Sequence, residues 1–171
     1  MLPKEQPDEN TKVEIDWLAN AILLTRVYSA PPKQVFDAWT QPEHLRCWWD
    51  PTGRPLAICE IDLRPGGAFR FVNQANSGSH EFAGVYREIV RPKSLIFEAM
   101  GAIGHVILDE IEGKTQLTVK IKCGSASKLE QYLQRGIDAG TAKTLDNLAV
   151  HLTNESNSPR SAVRQSDGGA R

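Results

Sequence analysis

Between His105 and Cys123 the sequence allows only one kind of surface. Leu117, Val119, Ile121 and Cys123 fall on one side of the run, and Thr118, Lys120 and Lys122 on the other. That two-residue period belongs to a strand buried on one face and wet on the other, as in antiparallel sheets. Glu112-Gly113-Lys114-Thr115 separates this run from His105–Ile111, so the pair reads as a hairpin. A sheet of this type folds only if something covers its apolar face.

The same grammar recurs upstream. In Trp48 to Phe71 two adjacent tryptophans are followed by the turn Asp50-Pro51-Thr52-Gly53. Pro presets one backbone angle of that turn and Gly permits a positive one. Cys59, Ile61 and Leu63 then alternate with Glu60 and Asp62, and after Arg64-Pro65-Gly66-Gly67 a second strand runs from Ala68 to Val72. Glu60 and Asp62 are expected to face solvent. Further strands are expected at Ala21–Tyr28, His80–Val90 and Leu95–Met100, with Asn73–Ser79, Arg91–Ser94 and Gly101–Gly104 as breaks. Gly84 inside a strand marks a bulge, a bend or a close backbone approach, and parity along that strand is ambiguous. Two short helices, Lys33–Trp39 and Pro42–Trp48, follow the first strand, each introduced by proline.

One segment is long enough to cover the sheet. Leu129, Tyr132, Leu133, Ile137, Thr141, Leu145, Leu148 and Leu152 keep helical spacing, with Ser125 or Ser127 as N-cap. Gly136 and Gly140 lie one turn apart inside it. They mark either a close helix–sheet approach or space left for a ligand. The expected architecture is α+β: a curved antiparallel sheet of about seven strands, two short helices after the first, and a long C-terminal helix across the sheet. A wedge remains between sheet and helix. Residues 1–19 read as a flexible leader, 20–152 as the domain and 153–171 as a disordered tail.

Lys plus Arg total 20 against 21 Asp plus Glu, which gives no basic excess for nucleic acid. No apolar run reaches the ~18 residues of a membrane span, and the N-terminus has no signal-peptide core. Cys47, Cys59 and Cys123 are odd in number and far apart, as reduced packing residues of a cytoplasmic protein would be. His44, His80, His105 and His151 are scattered, with no pair at ligand spacing, so no metal site is expected. Ser125 and Ser127 lack a nucleophile elbow, and Gly66-Gly67 lacks the spacing of a phosphate loop. No cofactor and no catalytic constellation is expected; a buried carboxylate among Glu60, Asp62, Glu88 and Glu98 would be the exception.

The segments VFDAWTQPEHLRCWWDPTG, CEIDLRPGGAFRF, GVYREIVRPKSLIFE, GKTQLTVKI and RGIDAGTAKTLDNLAVHL, in this order, resemble the activator-of-Hsp90-ATPase-like family of the START-like, helix-grip superfamily. The resemblance covers about Ile22 to Leu152. It implies the helix-grip fold and an apolar cavity under the long helix. Relatives often carry Trp at the position of Thr141, so Thr141 here would open one end of that cavity. The eukaryotic co-chaperone adds a larger N-terminal domain, for which Met1 to Ala19 is too short.

Trp48 and Trp49 offer flat apolar walls with a polar N–H. One is expected in the core and the other at the entrance. Phe69, Phe71, Phe82, Phe97 and Val119 from the sheet, and Leu133, Ile137 and Thr141 from the helix, complete the candidate ligand-binding set. The expected function is non-enzymatic binding of a small hydrophobic molecule. The resemblance also implies two alternatives: a co-chaperone-like module contacting an Hsp90-type ATPase, and a cyclase-like enzyme using the same cavity. Either a monomer or a homodimer fits the sequence.

Overall fold

The computed structural model describes residues 10–74 and 80–157. Eight strands form one antiparallel sheet: β1 (Lys12–Asp16), β2 (Ala21–Tyr28), β3 (Ile58–Ile61), β4 (Ala68–Val72), β5 (Glu81–Val90), β6 (Ser94–Ala99), β7 (Ala102–Ile111) and β8 (Lys114–Lys122). Their order across the sheet is β1-β2-β8-β7-β6-β5-β4-β3. Helices α1 (Pro32–Thr40) and α2 (Pro42–Trp48) lie between β2 and β3, and α3 (Ala126–Gln134) and α4 (Ile137–Ser156) follow β8.

The turns follow from backbone chemistry. Glu112 and Gly113, at φ 51° and 79°, join β7 to β8, and Met100 and Gly101, at 54° and 75°, join β6 to β7. Two successive positive φ values match the right-handed twist of a two-residue hairpin. Thus the break expected over Gly101–Gly104 ends sooner, and Gly104 lies inside β7 opposite Phe97. A β-carbon on Gly104 would lie 2.3 Å from Phe97 Cζ, so the missing side chain is where the ring rests. Gly84 resolves as a close backbone approach: its β-carbon would lie 2.1 Å from the Glu98 carbonyl oxygen. The register of β5 slips between Tyr86 and Glu88. Phe82, Gly84 and Tyr86 face inward before the slip and Ile89 after it, which is why parity along this strand could not be read.

Three expectations need correction. Residues 1–19 are not all leader, because β1 pairs with β2 from Lys12↔Thr25 to Asp16↔Ala21. Acidic neighbours mask the alternation of Val13 and Ile15, and the Asp16 carboxylate closes the following turn by accepting from the Leu18 and Ala19 amides at 3.1 and 3.0 Å. The C-terminal helix is not continuous. Gly136 adopts φ 72°, its amide donates to the Leu133 carbonyl at 3.1 Å, and the chain restarts as α4. A left-handed glycine after the last turn is a common helix terminator. Third, α4 continues to Ser156, beyond the boundary expected at residue 152. The rest of the expected leader and tail, and residues 75–79 of the Asn73–Ser79 turn, lie outside the described residues.

The C-terminal half of α4 is held tightly. Leu145, Leu148 and Leu152 are buried in the core with Ile22, Leu24 and Trp48. Asp146 pairs with Arg26. Asn147 Nδ2 donates to the Asp50 carbonyl at 3.0 Å. The buried Tyr28 hydroxyl donates to the Leu145 carbonyl at 2.8 Å. Tyr28→Phe removes that one bond and is expected to cost about 1 kcal/mol. In a chain of this size that lowers the melting temperature by about 2–4 °C, measurable by circular dichroism. No change would mean that the bond does not anchor the helix.

Candidate functional site

The N-terminal half of α4 is packed less deeply than its C-terminal half. Ile137, Gly140 and Thr141 are only half-buried, whereas Leu145 and Leu148 are fully buried. Beneath this half lies a cavity of about 240 Å³. Ile137, Gly140, Thr141 and Thr144 form its roof, with Tyr132 from α3. Phe82, Phe97, Ala99, Ala102, Gly104, Val119 and Ile121 supply the sheet side, and Trp39, Trp49, Pro51, Asn73 and Met100 complete the wall. A β-carbon on Gly140 would meet nothing within 4 Å, so this glycine leaves space rather than allowing a close contact.

The aromatic end is built by the two proline-started helices. Trp39 stands edge-on to Trp48 and Trp49, with centroids 4.9 and 6.0 Å away. Trp48 is wholly buried, and its indole N–H donates to the Ala38 carbonyl at 3.0 Å. Trp49 is half-buried and packs on Phe71 and Phe82 at 5.1 and 5.2 Å. The Asp50 turn is locked by its own carboxylate, which accepts from the Thr52 amide and hydroxyl, each at 2.8 Å. Burial opposes the charge on Asp50, but hydrogen bonds from the Asn73 side chain and Thr52 outweigh it and hold the carboxyl below its ordinary range.

Of the sequence-predicted residues, Trp49, Phe82, Phe97, Val119, Ile137 and Thr141 border the cavity, and Trp48, Phe69, Phe71 and Leu133 do not. Trp48 is core. Phe69 and Phe71 stack on each other at 5.1 Å and, with Trp49 and Phe82, close a separate void of about 20 Å³, room for a single water. Leu133 belongs to α3, and the helix break at Gly136 takes it off the face that Ile137 and Thr141 share. Tyr132, Ile121 and Trp39 were missed as wall residues. Ile121 shares the face of Val119, and Trp39 repeats with Val35 and Phe36 in α1, so both signals were available.

The polar atoms of the wall are largely spoken for. Thr141 Oγ1 donates to the Ile137 carbonyl and Thr144 Oγ1 to the Thr141 carbonyl, both at 2.7 Å. The Tyr132 hydroxyl donates to the Met100 carbonyl, and burial pushes its phenol above the ordinary range. The Trp39 indole N–H has no acceptor among the described residues, but it is buried away from the cavity space as well as from solvent. No carboxylate, histidine, lysine, arginine or cysteine borders the cavity among those residues. Glu60, Asp62 and Glu88 are exposed, and Glu98 pairs with Arg87.

The histidines depart from expectation. His44 and His151 are 107 residues apart in sequence, yet their Nδ1 and Nε2 atoms lie 3.0 Å apart, because α2 packs against α4.

A family model described as activator of Hsp90 ATPase homolog 1-like protein matches residues 29–153. No curated protein matches the chain. Among solved structures it is similar to a protein from Mycobacterium smegmatis, at 21% identity and TM-score 0.77, covering 85% of this chain and 98% of that one. A protein from Rhodobacter sphaeroides gives 20% identity and TM-score 0.77 over 84% and 98%. One from Nitrosomonas europaea gives 22% and 0.74 over 81% and 97%. At such identities these likenesses concern the fold alone. No helix among the described residues is long and apolar enough to cross a membrane.

Proposed function

The chain belongs to the activator of Hsp90 ATPase homolog 1-like family, and from that premise we propose that it is a non-enzymatic carrier of a small, mostly apolar molecule held between the sheet and α4. The observation behind this reading is the cavity of about 240 Å³ with its aromatic and aliphatic wall. An apolar cavity of ~150 Å³ in another protein takes benzene, so the space here suits a guest of bicyclic size. Burial of its apolar surface supplies most of the binding free energy, at about 25 cal/mol per Å². A cyclase-like reaction needs acid or base groups at the guest, and the wall holds none among the described residues beyond the Tyr132 phenol.

The test is titration with indole, 2-naphthol and decanoate, followed by tryptophan fluorescence and melting temperature. Trp39 and Trp49 border the cavity, so a bound aromatic guest alters their emission. At least one probe is expected to bind saturably and raise the melting temperature. Flat titrations for all three, with native mass spectrometry of the purified protein also showing no retained small molecule, would remove the carrier reading.

The family description also names an Hsp90 ATPase. The exposed Trp17 and Leu18 between β1 and β2 are an apolar surface on which such a partner could act. Unchanged ATP turnover by an Hsp90-type chaperone at saturating domain would eliminate that second reading.

A further inference from the structure

Away from the cavity, three side chains with metal-binding atoms converge where α2 meets the end of α4. His44 projects from α2, and His151 and Glu155 lie one turn apart on α4. Residues four apart share a helix face, which is how paired ligands are commonly presented to a metal. His44 Nδ1 lies 3.0 Å from His151 Nε2 and 3.6 Å from Glu155 Oε1. One ligand atom from each of the three lies within 4.8 Å of the others. Two ligands at ~2.0–2.2 Å from a tetrahedral zinc ion are themselves about 3.3 Å apart. The two shortest separations bracket that value, so only small side-chain rotations separate this cluster from a ligand set.

We propose that His44, His151 and Glu155 form a binding site for a divalent first-row metal ion, of which zinc is the type, and that the ion ties the last turns of α4 to α2. Two imidazoles and a carboxylate are the donor set that zinc and its neighbours accept. Three protein ligands leave a fourth position for water, which the partial exposure of His44 and Glu155 permits. Without a metal the same atoms make a hydrogen bond between the imidazoles and an ion pair of His44 with Glu155. The bond from Asn147 to Asp50 lies one turn earlier on α4, so the ion would extend an existing attachment of the helix.

The experiment uses the full chain without an affinity tag, stripped of metal by a chelator and titrated with zinc by calorimetry and with cobalt by absorption. The expected result is one ion per chain, a higher melting temperature, and cobalt d–d bands without a thiolate charge-transfer band. His44→Gln and His151→Gln are each expected to weaken binding by about tenfold or more, since even losing a group that merely orients a ligand costs that much. Glu155→Gln does the same at an exposed position where folding is not at risk, and it decides the matter if a histidine variant fails to fold. Three results would overturn the site: no zinc heat and no thermal shift at millimolar zinc, binding unchanged in all folded variants, or a thiolate band placing the ion on the exposed Cys47.

Discussion

Replacing Trp48 by alanine is expected to cost about 3–5 kcal/mol of folding stability, the range for deleting a fully buried tryptophan. Against a total of ~5–15 kcal/mol, this removes a large share of the stability. Three losses combine. The side chain is entirely buried, so its transfer free energy is lost in full. It packs against Trp39 at 4.9 Å and Trp49 at 5.7 Å, so the cavity left behind is walled by rigid rings that cannot collapse into it. Its N–H also donates to the Ala38 carbonyl, a bond that holds α2 against α1. The neighbouring Trp49→Ala is expected to cost clearly less, about 2 kcal/mol, because part of that ring never leaves solvent. Instead it should join the cavity to the small void behind Phe69 and Phe71 and shift preference toward larger guests. Urea unfolding of both variants, followed by circular dichroism, gives the comparison. If Trp49→Ala proved the more costly, the division of the pair into core and wall would be reversed.

That division shows what the sequence can convey. A Trp-Trp pair before a hairpin announces that one ring will be buried and one will border something, but the order depends on which ring reaches a backbone acceptor. Strand faces were legible wherever the two-residue period was unbroken, as from Leu117 to Cys123. They became illegible at the Tyr86/Glu88 register slip, where one extra residue exchanges the two faces. Face is not depth, however. Phe69 and Phe71 share the inner face with Phe82, yet their neighbours fill the space in front of them. Gly136 and Gly140 look alike in sequence, and only the backbone separates them: one has φ 72° and ends a helix, the other sits inside one. β1 could not be seen because the partner that makes Lys12–Asp16 a strand is β2, while its own composition is that of a solvated leader. The His44–His151 contact was beyond reach for the same reason, since it exists only through the packing of α2 on α4.

Gly140 therefore offers the sharpest control over the cavity. It lies in a helix interior, where glycine costs about 1 kcal/mol relative to alanine. Nothing in the structure requires it: its φ is not positive and a β-carbon would meet open space. Gly140→Ala is thus expected to stabilise the protein by up to about 1 kcal/mol, and the melting temperature rises by about 2–4 °C. A methyl group leaves most of the 240 Å³ free, so guests still bind. Gly140→Leu gains the same backbone preference and projects an isobutyl group into the hollow, where it buries apolar surface against Phe82, Phe97 and Val119. The protein should become more stable still, while affinity for the guest falls by about tenfold or more, the effect of surplus carbon in an apolar pocket. A stability gain coupled to a binding loss is hard to obtain from damage, because damage lowers both. It is the signature of a cavity that the chain leaves empty for a guest. If Gly140→Leu binds the probes as tightly as the parent, the guest lies elsewhere. If it is less stable than Gly140→Ala, the space under α4 is smaller than the structure describes.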